Sequence, residues 1–180
     1  MAEQRDLLGR NRQSTGKTVE AGKPIPAGYY CCVVIIFIQN SRGDLLIQKR
    51  AKDTKFGGMY ASTGGHPKAG QTSLEGAVTE IEEELGVKVN SKDLRLICSR
   101  RIDEDQVFCD VYYLRQDIDL STLKLQAEEV ESAHWFTLYR IREENAEGHF
   151  MPPHYEELIN ALRYGVIDVS EVAKYWNIIL

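Results

Sequence analysis

The clearest pattern in the chain is a helical repeat of apolar residues between positions 73 and 85. Its apolar residues recur at intervals of three and four positions: Leu74, Ala77, Val78, Ile81 and Leu85. This spacing predicts an amphipathic helix over residues 73–85. Thr72 is a favourable N-cap residue in front of it, and Gly86 stands where a C-terminal cap is expected.

Runs of apolar, β-branched and aromatic residues predict the strands. Residues 29–38 have the composition of a central buried strand, and residues 45–50 predict its hairpin partner across a polar turn. The remaining predicted elements are strands over 94–102, 107–115 and 134–136, and helices over 138–145, 155–164 and 170–179. Strands 94–102 and 107–115 are expected to pair in antiparallel fashion. Because strands and helices mix without regular alternation, the pattern predicts an α+β (mixed α/β) fold.

Composition narrows the domain organisation and the class of partner. The chain has 180 residues, which suits one domain. Residues 1–28 are polar and rich in glycine and proline, so they predict an irregular leader or an edge hairpin belonging to the main domain at 29–180. The net charge of -5 provides no basic field for a nucleic acid polymer, which favours a small-molecule substrate.

Hydropathy and cysteine content predict the compartment. No apolar run approaches the roughly 18–20 residues of a membrane span, and the first residues lack the apolar region of a signal peptide. The four cysteines follow neither a metal-ligand spacing nor a dense disulfide pattern. We therefore expect a cytoplasmic protein with reduced thiols and no membrane association.

The predicted helix carries an unusual group of acids. Glu80, Glu83 and Glu84 are separated by three and four positions, so they are neighbours on one helical face, displaced by about a third of a turn from the apolar stripe. Like charges at this spacing repel, and the helix dipole disfavours anions near a C-terminal end. A hard divalent cation such as Mg²⁺ would convert that repulsion into coordination, whereas a solvated acidic face is the alternative interpretation.

The residues around this face resemble the signature of the Nudix hydrolase superfamily, whose fold is described as MutT-like. The segment 64–87 matches its fixed positions at Gly65, Glu80, Ile81, Glu83, Glu84, Gly86 and Val87. Two positions depart from the signature: Gln71 replaces the usual glutamate, and Thr79 replaces the usual arginine. The resemblance extends over roughly residues 15–165, and the segment entering the signature is most similar to the branch that includes isopentenyl-diphosphate isomerase.

The resemblance implies an α/β/α sandwich with a mixed sheet and Mg²⁺-dependent hydrolysis of a diphosphate linkage, with Mn²⁺ a possible substitute. The substrate class is a small nucleotide-like or other organic diphosphate. The family pattern assigns the metal to Glu80, Glu83, Glu84 and the backbone carbonyl of Gly65. Glu80 and Glu83 are also catalytic candidates, and the base is either Glu83 or a later glutamate, of which Glu129 has the best position.

Two further residues are candidates for substrate binding. Arg50 ends a predicted strand, where a guanidinium could hold phosphate oxygens, although a salt bridge or a solvated position explains it equally well. His66 follows Gly65 and could hydrogen-bond a substrate or serve a structural role. A homodimer remains possible.

Two other functions compete with hydrolysis. An isomerase of the same fold would need a cysteine beside the glycine-histidine pair, but Gly64 stands there. A Nudix fold that only binds a ligand is the other alternative, because Gln71 and Thr79 depart from the signature.

Overall fold

The computed structural model describes residues 2–167, so the helix predicted over 170–179 lies outside the described residues. The strands are β1 (Gln4–Leu8), β2 (Ser14–Glu20), β3 (Cys31–Gln39), β4 (Leu45–Arg50), β5 (Tyr60–Ala61), β6 (Thr63–Gly65), β7 (Arg95–Ile102), β8 (Val107–Arg115) and β9 (Val130–Phe136). The helices are α1 (Ser73–Leu85), α2 (Leu138–Ala146) and α3 (Pro152–Arg163). The predicted mixture of strands and helices is confirmed.

Helix α1 has the predicted bounds because both of its ends are capped. The Thr72 side chain accepts a hydrogen bond from the Glu75 backbone amide, and the Glu75 carboxylate accepts one from the Thr72 amide in return. Gly86 ends the helix in the left-handed conformation, with φ of 69°. The short-range sequence signals therefore specify this element completely.

The differences from the sequence prediction that have a clear physical reason lie in α3, β9 and the glycine-rich segment. Helix α3 begins three residues earlier than 155, because Pro152 and Pro153 occupy its first turn, where a missing N–H is harmless. Strand β9 begins four residues earlier than 134, in a polar stretch that pairs with β4. The glycine-rich segment contains β6, which pairs with β3, and a Cβ atom at Gly64 would lie 2.4 Å from the Val34 carbonyl oxygen. Glycine is thus needed for this close strand approach.

The main sheet is mixed and seven-stranded. Strand β3 lies in its centre, parallel to β8 and antiparallel to β6, while β4 pairs with β5 and β9. Strands β7 and β8 form the expected antiparallel pair. One apolar face of the sheet is covered by α1 and the other by α2 and α3, so the predicted α/β/α sandwich is confirmed. No helix within residues 2–167 is both long and apolar enough to cross a membrane.

The leader forms a separate two-stranded hairpin of β1 and β2. A backbone bridge joins Leu8 to Tyr30 in front of β3. The Ala69 amide donates to the Gln4 carbonyl at 2.8 Å, and the Gly70 amide donates to the Asp6 carboxylate at 2.8 Å. The hairpin therefore contacts the loop that enters α1.

A buried ion pair fixes the turn of this hairpin to the sheet. Arg12, in the left-handed conformation with φ of 64°, directs both terminal guanidinium nitrogens at Asp110 of β8, with one N···O distance of 2.7 Å. The Asp110 side chain is only 2% exposed. Burial alone would raise the pKa of Asp110, but hydrogen bonds from Arg12, Ser73 and Ser99 outweigh it and lower the pKa.

Arg12→Met should destabilise the fold by leaving Asp110 buried without its cation. We expect the free energy of unfolding to fall by about 2 kcal/mol at neutral pH, less than for a fully enclosed pair, because the Arg12 side chain is 34% exposed. The lowered Asp110 pKa means that the pair stabilises the fold above the carboxyl's unfolded pKa. This contribution is lost as the pH falls through the folded pKa.

Urea unfolding at neutral and acidic pH checks this expectation. Arg10→Met is the matched control, since Arg10 is an exposed arginine of the same hairpin turn. Equal destabilisation by the two variants, or a difference that persists in strong acid, would contradict the role of the Arg12–Asp110 pair.

Candidate active site

Glu84 is the most deeply buried acid of the site, with 1% exposure. Its Oε2 accepts hydrogen bonds from Gln48 Nε2 at 2.9 Å and from the Gly64 amide at 3.3 Å. Gln48, on β4, also donates to Thr63 Oγ1 at 2.8 Å. The other Glu84 oxygen, Oε1, is buried and has no hydrogen-bond partner. One carboxylate oxygen is thus held in place while the other remains available to a ligand.

Glu80 lies one helical turn before Glu84 and contacts the backbone of β6. A Cβ atom at Gly65 would lie 2.3 Å from Glu80 Oε1, so a larger residue at position 65 would displace the Glu80 carboxylate from its present position. The structure thus brings Gly65, Glu80 and Glu84 together, where β6 meets the second half of α1.

The electrostatics of these two carboxyl groups are unfavourable without a cation. The pKa of Glu80 is raised to about 8, first by burial and then by the charges of Glu84, Glu129 and Glu83 in that order. Burial also raises the pKa of Glu84 to about 7, although the Gln48 hydrogen bond acts in the opposite direction. A divalent cation would relieve this cost, so the donor set fits Mg²⁺ or Mn²⁺.

Glu83 and Glu129 occupy different positions around this pair. The Glu83 carboxylate is exposed and forms an ion pair with Lys68 of the loop before α1. Glu129 is partly buried, and its charge raises the pKa of both Glu80 and Glu84. The charges of Glu80, Glu84 and Glu129 therefore repel one another. The charge of Glu83 is instead partly neutralised by Lys68.

The three helix glutamates do not form a closed ligand set in this conformation. Among residues 2–167, the one group of three potential ligands within 4.8 Å of one another is Glu144, Glu147 and His149. That group lies at the end of α2, where His149 Nδ1 is 3.2 Å from Glu144 and 3.3 Å from Glu147.

The two candidates for substrate binding lie on the strands that border the acids, Arg50 at the end of β4 and His66 directly after β6. Arg50 Nε donates to the Lys55 carbonyl at 2.9 Å, and the positive charge of Arg50 acts to lower the pKa of Glu84. The pKa of His66 is lowered to about 4, chiefly by burial and then by the charges of Arg5 and Lys55. His66 is therefore neutral at physiological pH and can donate or accept a hydrogen bond.

The two departures from the signature contact each other. Gln71 Nε2 donates to Thr79 Oγ1 at 2.9 Å, and Gln71 Oε1 accepts from the Lys68 amide at 2.8 Å. A neutral hydrogen bond thus joins the loop to α1 at the positions where the family has a glutamate and an arginine.

The isomerase alternative loses support at position 64. A cysteine there would bring its Cβ to within 2.4 Å of the Val34 carbonyl oxygen, so it could not be accommodated without moving β3 or β6. The only acid on the described part of β8 is Asp110, and it is bound to Arg12.

Sequence reasoning did not identify Gln48 or Lys68 as parts of the site. Gln48 is buried, but in the sequence of β4 it begins the polar run Gln48–Arg50, so nothing in the sequence separates it from its exposed-type neighbours. Lys68 follows the glycine-rich turn, and nothing in its spacing indicates that it reaches Glu83.

Comparison with known proteins identifies the family. The NUDIX domain family matches residues 30–157. The chain is 36% identical over 152 residues to an uncharacterized Nudix hydrolase of Listeria monocytogenes, covering 83% of this chain and 89% of that protein. A Deinococcus radiodurans crystal structure superposes with a TM-score of 0.69 and 25% identity, covering 82% of this chain and 91% of that one.

A more distant structure shares the fold and contains ligands. It is a bifunctional NMN adenylyltransferase/ADP ribose pyrophosphatase from Francisella tularensis, complexed with AMP and a Mn ion. Its TM-score is 0.59 at 17% identity, covering 78% of this chain and 43% of that one.

The chain belongs to the Nudix family. It is a hydrolase, as the family match and the Nudix hydrolase relatives show.

Glu80→Gln should stabilise the metal-free protein at alkaline pH and have little effect in mild acid. The Glu80 pKa is raised from 4.5 to about 8 on folding, so folding stability falls as the pH rises between these values. A glutamine resembles the protonated acid and removes this loss. Unfolding in the presence of a chelator at pH 5 and pH 9 measures the difference.

Glu82→Gln provides the control, because Glu82 is an exposed acid on the same helix. A Glu80→Gln variant that gains no stability at pH 9 relative to pH 5, or gains no more than Glu82→Gln, would contradict the buried charge.

Proposed function

We propose that the protein hydrolyses the diphosphate linkage of a small organic diphosphate, using Mg²⁺ or Mn²⁺. The observation that carries this proposal is the buried Glu84 carboxylate, which has one oxygen without a partner and lies near Glu80, a carboxyl group whose pKa is strongly raised. Two such groups fit a divalent cation better than any structural role, since burying uncompensated acids costs stability.

Each residue of the site has a distinct contribution. Glu80 and Glu84 would hold the cation, with Glu83 joining them when it leaves Lys68, and the Gly65 carbonyl is a further ligand in the family pattern. A bound divalent cation neutralises diphosphate oxygens and lowers the pKa of water. Gln48 fixes Glu84 through Oε2, which orients Oε1 toward the ligand.

The general base that we favour is Glu129. It is partly buried, and its charge raises the pKa of both Glu80 and Glu84, so it lies near them. The alternative base, Glu83, is already bound to Lys68. A carboxylate beside the metal ligands is suited to accept the proton of the attacking water.

Arg50 and His66 are our candidates for contacts with the substrate. Arg50 carries a positive charge beside the acids, which suits a phosphoryl oxygen, and its guanidinium can present two N–H donors to it. His66 is neutral because its pKa is about 4, so it can hydrogen-bond a polar group without adding charge.

The substrate that we propose is a nucleoside diphosphate derivative. The Francisella neighbour is named as an ADP ribose pyrophosphatase and contains a Mn ion, which agrees with this class and with the choice of cation.

We also propose a cytoplasmic location, supported by four cysteines that are all free thiols.

Activity and metal binding together test this function. Wild-type protein should release product from a panel of nucleotide sugars, dinucleotides, nucleoside triphosphates and isoprenoid diphosphates only when Mg²⁺ or Mn²⁺ is added. Glu84→Gln should lose most cation binding in calorimetry. Glu129→Gln should retain cation binding but lose about 10²–10⁴-fold in kcat, the range typical of removing a general base.

Glu82→Gln and Glu128→Gln are the controls, because each removes an exposed acid next to a site residue. Cation binding that is unchanged in Glu84→Gln would rule out the assigned metal site. Conversion of isopentenyl diphosphate to its dimethylallyl isomer, without hydrolysis of any panel member, would instead favour the isomerase.

The Gln71–Thr79 pair should limit turnover. Gln71→Glu together with Thr79→Arg should raise kcat on the best substrate of the panel, because an ion pair would replace a single neutral hydrogen bond between the loop and α1. Each single change should help less, since it introduces one charge without its partner. Single variants that match the double variant would show that the two positions act independently.

A further inference from the structure

A cavity of about 160 Å³ separates the N-terminal hairpin from the loop that enters α1. Arg5 and Arg12 line it from the hairpin, and Lys68, Thr72 and Ser73 line it from the other side. A single water molecule needs only about 10–15 Å³ on this measure, so the cavity has room for a group of several heavy atoms. Cationic and hydroxyl side chains dominate its polar lining, which suits an anionic group.

Most of the charges around the cavity are already paired. Arg12 is bound to Asp110, and Lys68 is bound to Glu83. Asp6 accepts a hydrogen bond from the Gly70 amide. These paired groups make the cavity polar. Because their charges largely cancel, they attract an anionic ligand only weakly.

Arg5 is different from the other two cations. Its one acidic contact among the described residues is Glu3, at 3.7 Å, which is too long for a hydrogen bond. Its Nε is buried and has no hydrogen-bond partner, although the side chain as a whole is 26% exposed. A buried N–H without an acceptor costs free energy, and an anion in the cavity would satisfy it.

Contacts made by the two neighbours of Arg5 hold its backbone in position. Its neighbours on β1, Gln4 and Asp6, accept hydrogen bonds from the Ala69 and Gly70 amides, each at 2.8 Å. The segment that carries Arg5 is thus attached on both sides to the loop before α1. The backbone at Arg5 is therefore already fixed relative to that loop, which reduces part of the ordering cost of binding.

The cavity adjoins the proposed active site. Lys68 lines the cavity and also contacts the Glu83 carboxylate. The charge of Arg5 also contributes to lowering the pKa of His66, the residue next to Gly65, so the guanidinium is close to that imidazole. One bound molecule could therefore reach both places.

We propose that this cavity binds a phosphate group that the substrate carries at a position remote from the diphosphate that is cleaved, with Arg5 as its main ligand. The inference rests on the proposed hydrolase function for the identity of the ligand. The hairpin would then contribute to substrate selectivity. The enzyme would prefer a diphosphate that carries an additional phosphate monoester over the same compound without it.

The first test is binding of inorganic phosphate to the metal-free protein, followed by NMR. Phosphate should shift the Arg5 Nε–H signal and the amides of residues 71–73. Arg5→Met should weaken this binding about tenfold or more, as expected for loss of a charge-assisted hydrogen bond. Arg5→Lys, which keeps the charge but lacks Nε, should give an intermediate effect and guards against a folding defect in the methionine variant.

Arg10→Met is the matched control, because it removes an exposed guanidinium of the same hairpin that does not line the cavity. Phosphate binding that is equal in wild type and both Arg5 variants, or shifts confined to other residues, would overturn the proposal. Shifts that do not saturate would indicate an adventitious ion only and would overturn it too.

The second test uses a pair of nucleotide sugars that differ by one ribose phosphate monoester. Arg5→Met should lower kcat/KM about tenfold for the phosphorylated member and less than twofold for the other. Equal losses on both members would overturn the proposal while leaving hydrolysis intact. Saturable phosphate binding without hydrolysis of any panel member would contradict the proposed hydrolase function. The cavity would then be a site for free phosphate, and the proposal that it binds a phosphate of the substrate would be overturned.

Discussion

The burial of two carboxyl groups on the second half of α1 is the constraint on which the site depends. Glu84 is almost fully enclosed, and Glu80 lies so close to Gly65 that a side chain at position 65 would displace its carboxylate. Such burial is unfavourable for ionised acids in the absence of a cation, as their raised pKa values show. The surrounding fold must therefore hold them with groups that do not neutralise them, and for Glu84 these groups are Gln48 and the Gly64 amide.

The fold supplies these groups from three places in the chain. Strand β4 provides Gln48, β6 provides the Gly64 amide, and α1 provides the acids. Thr63 accepts the second hydrogen bond of the Gln48 amide, so the same side chain also ties β4 to β6. Because β6 pairs closely with the central strand β3, the position of Glu84 is linked to the centre of the sheet.

The sequence is most informative where short-range physics decides the structure. The bounds of α1 follow from apolar spacing, the Thr72 capping box and the left-handed Gly86, all of which act within a few residues. The same spacing predicts that Glu80, Glu83 and Glu84 share a face. It does not predict that Glu83 is bound to Lys68, because that contact depends on the path of an irregular loop. Neither β6 nor the role of Gln48 is predicted, since both depend on pairing between distant segments.

The N-terminal hairpin and the signature loop constrain each other, although a family match over residues 30–157 leaves the hairpin out. Arg12 anchors the hairpin turn to Asp110 on the central sheet, and β1 then accepts hydrogen bonds from the Ala69 and Gly70 amides. Those amides belong to the same short loop as Lys68, which contacts Glu83. A displacement of the hairpin must therefore change the loop that adjoins the acids, so a segment outside the matched family domain can influence the geometry of the site within it.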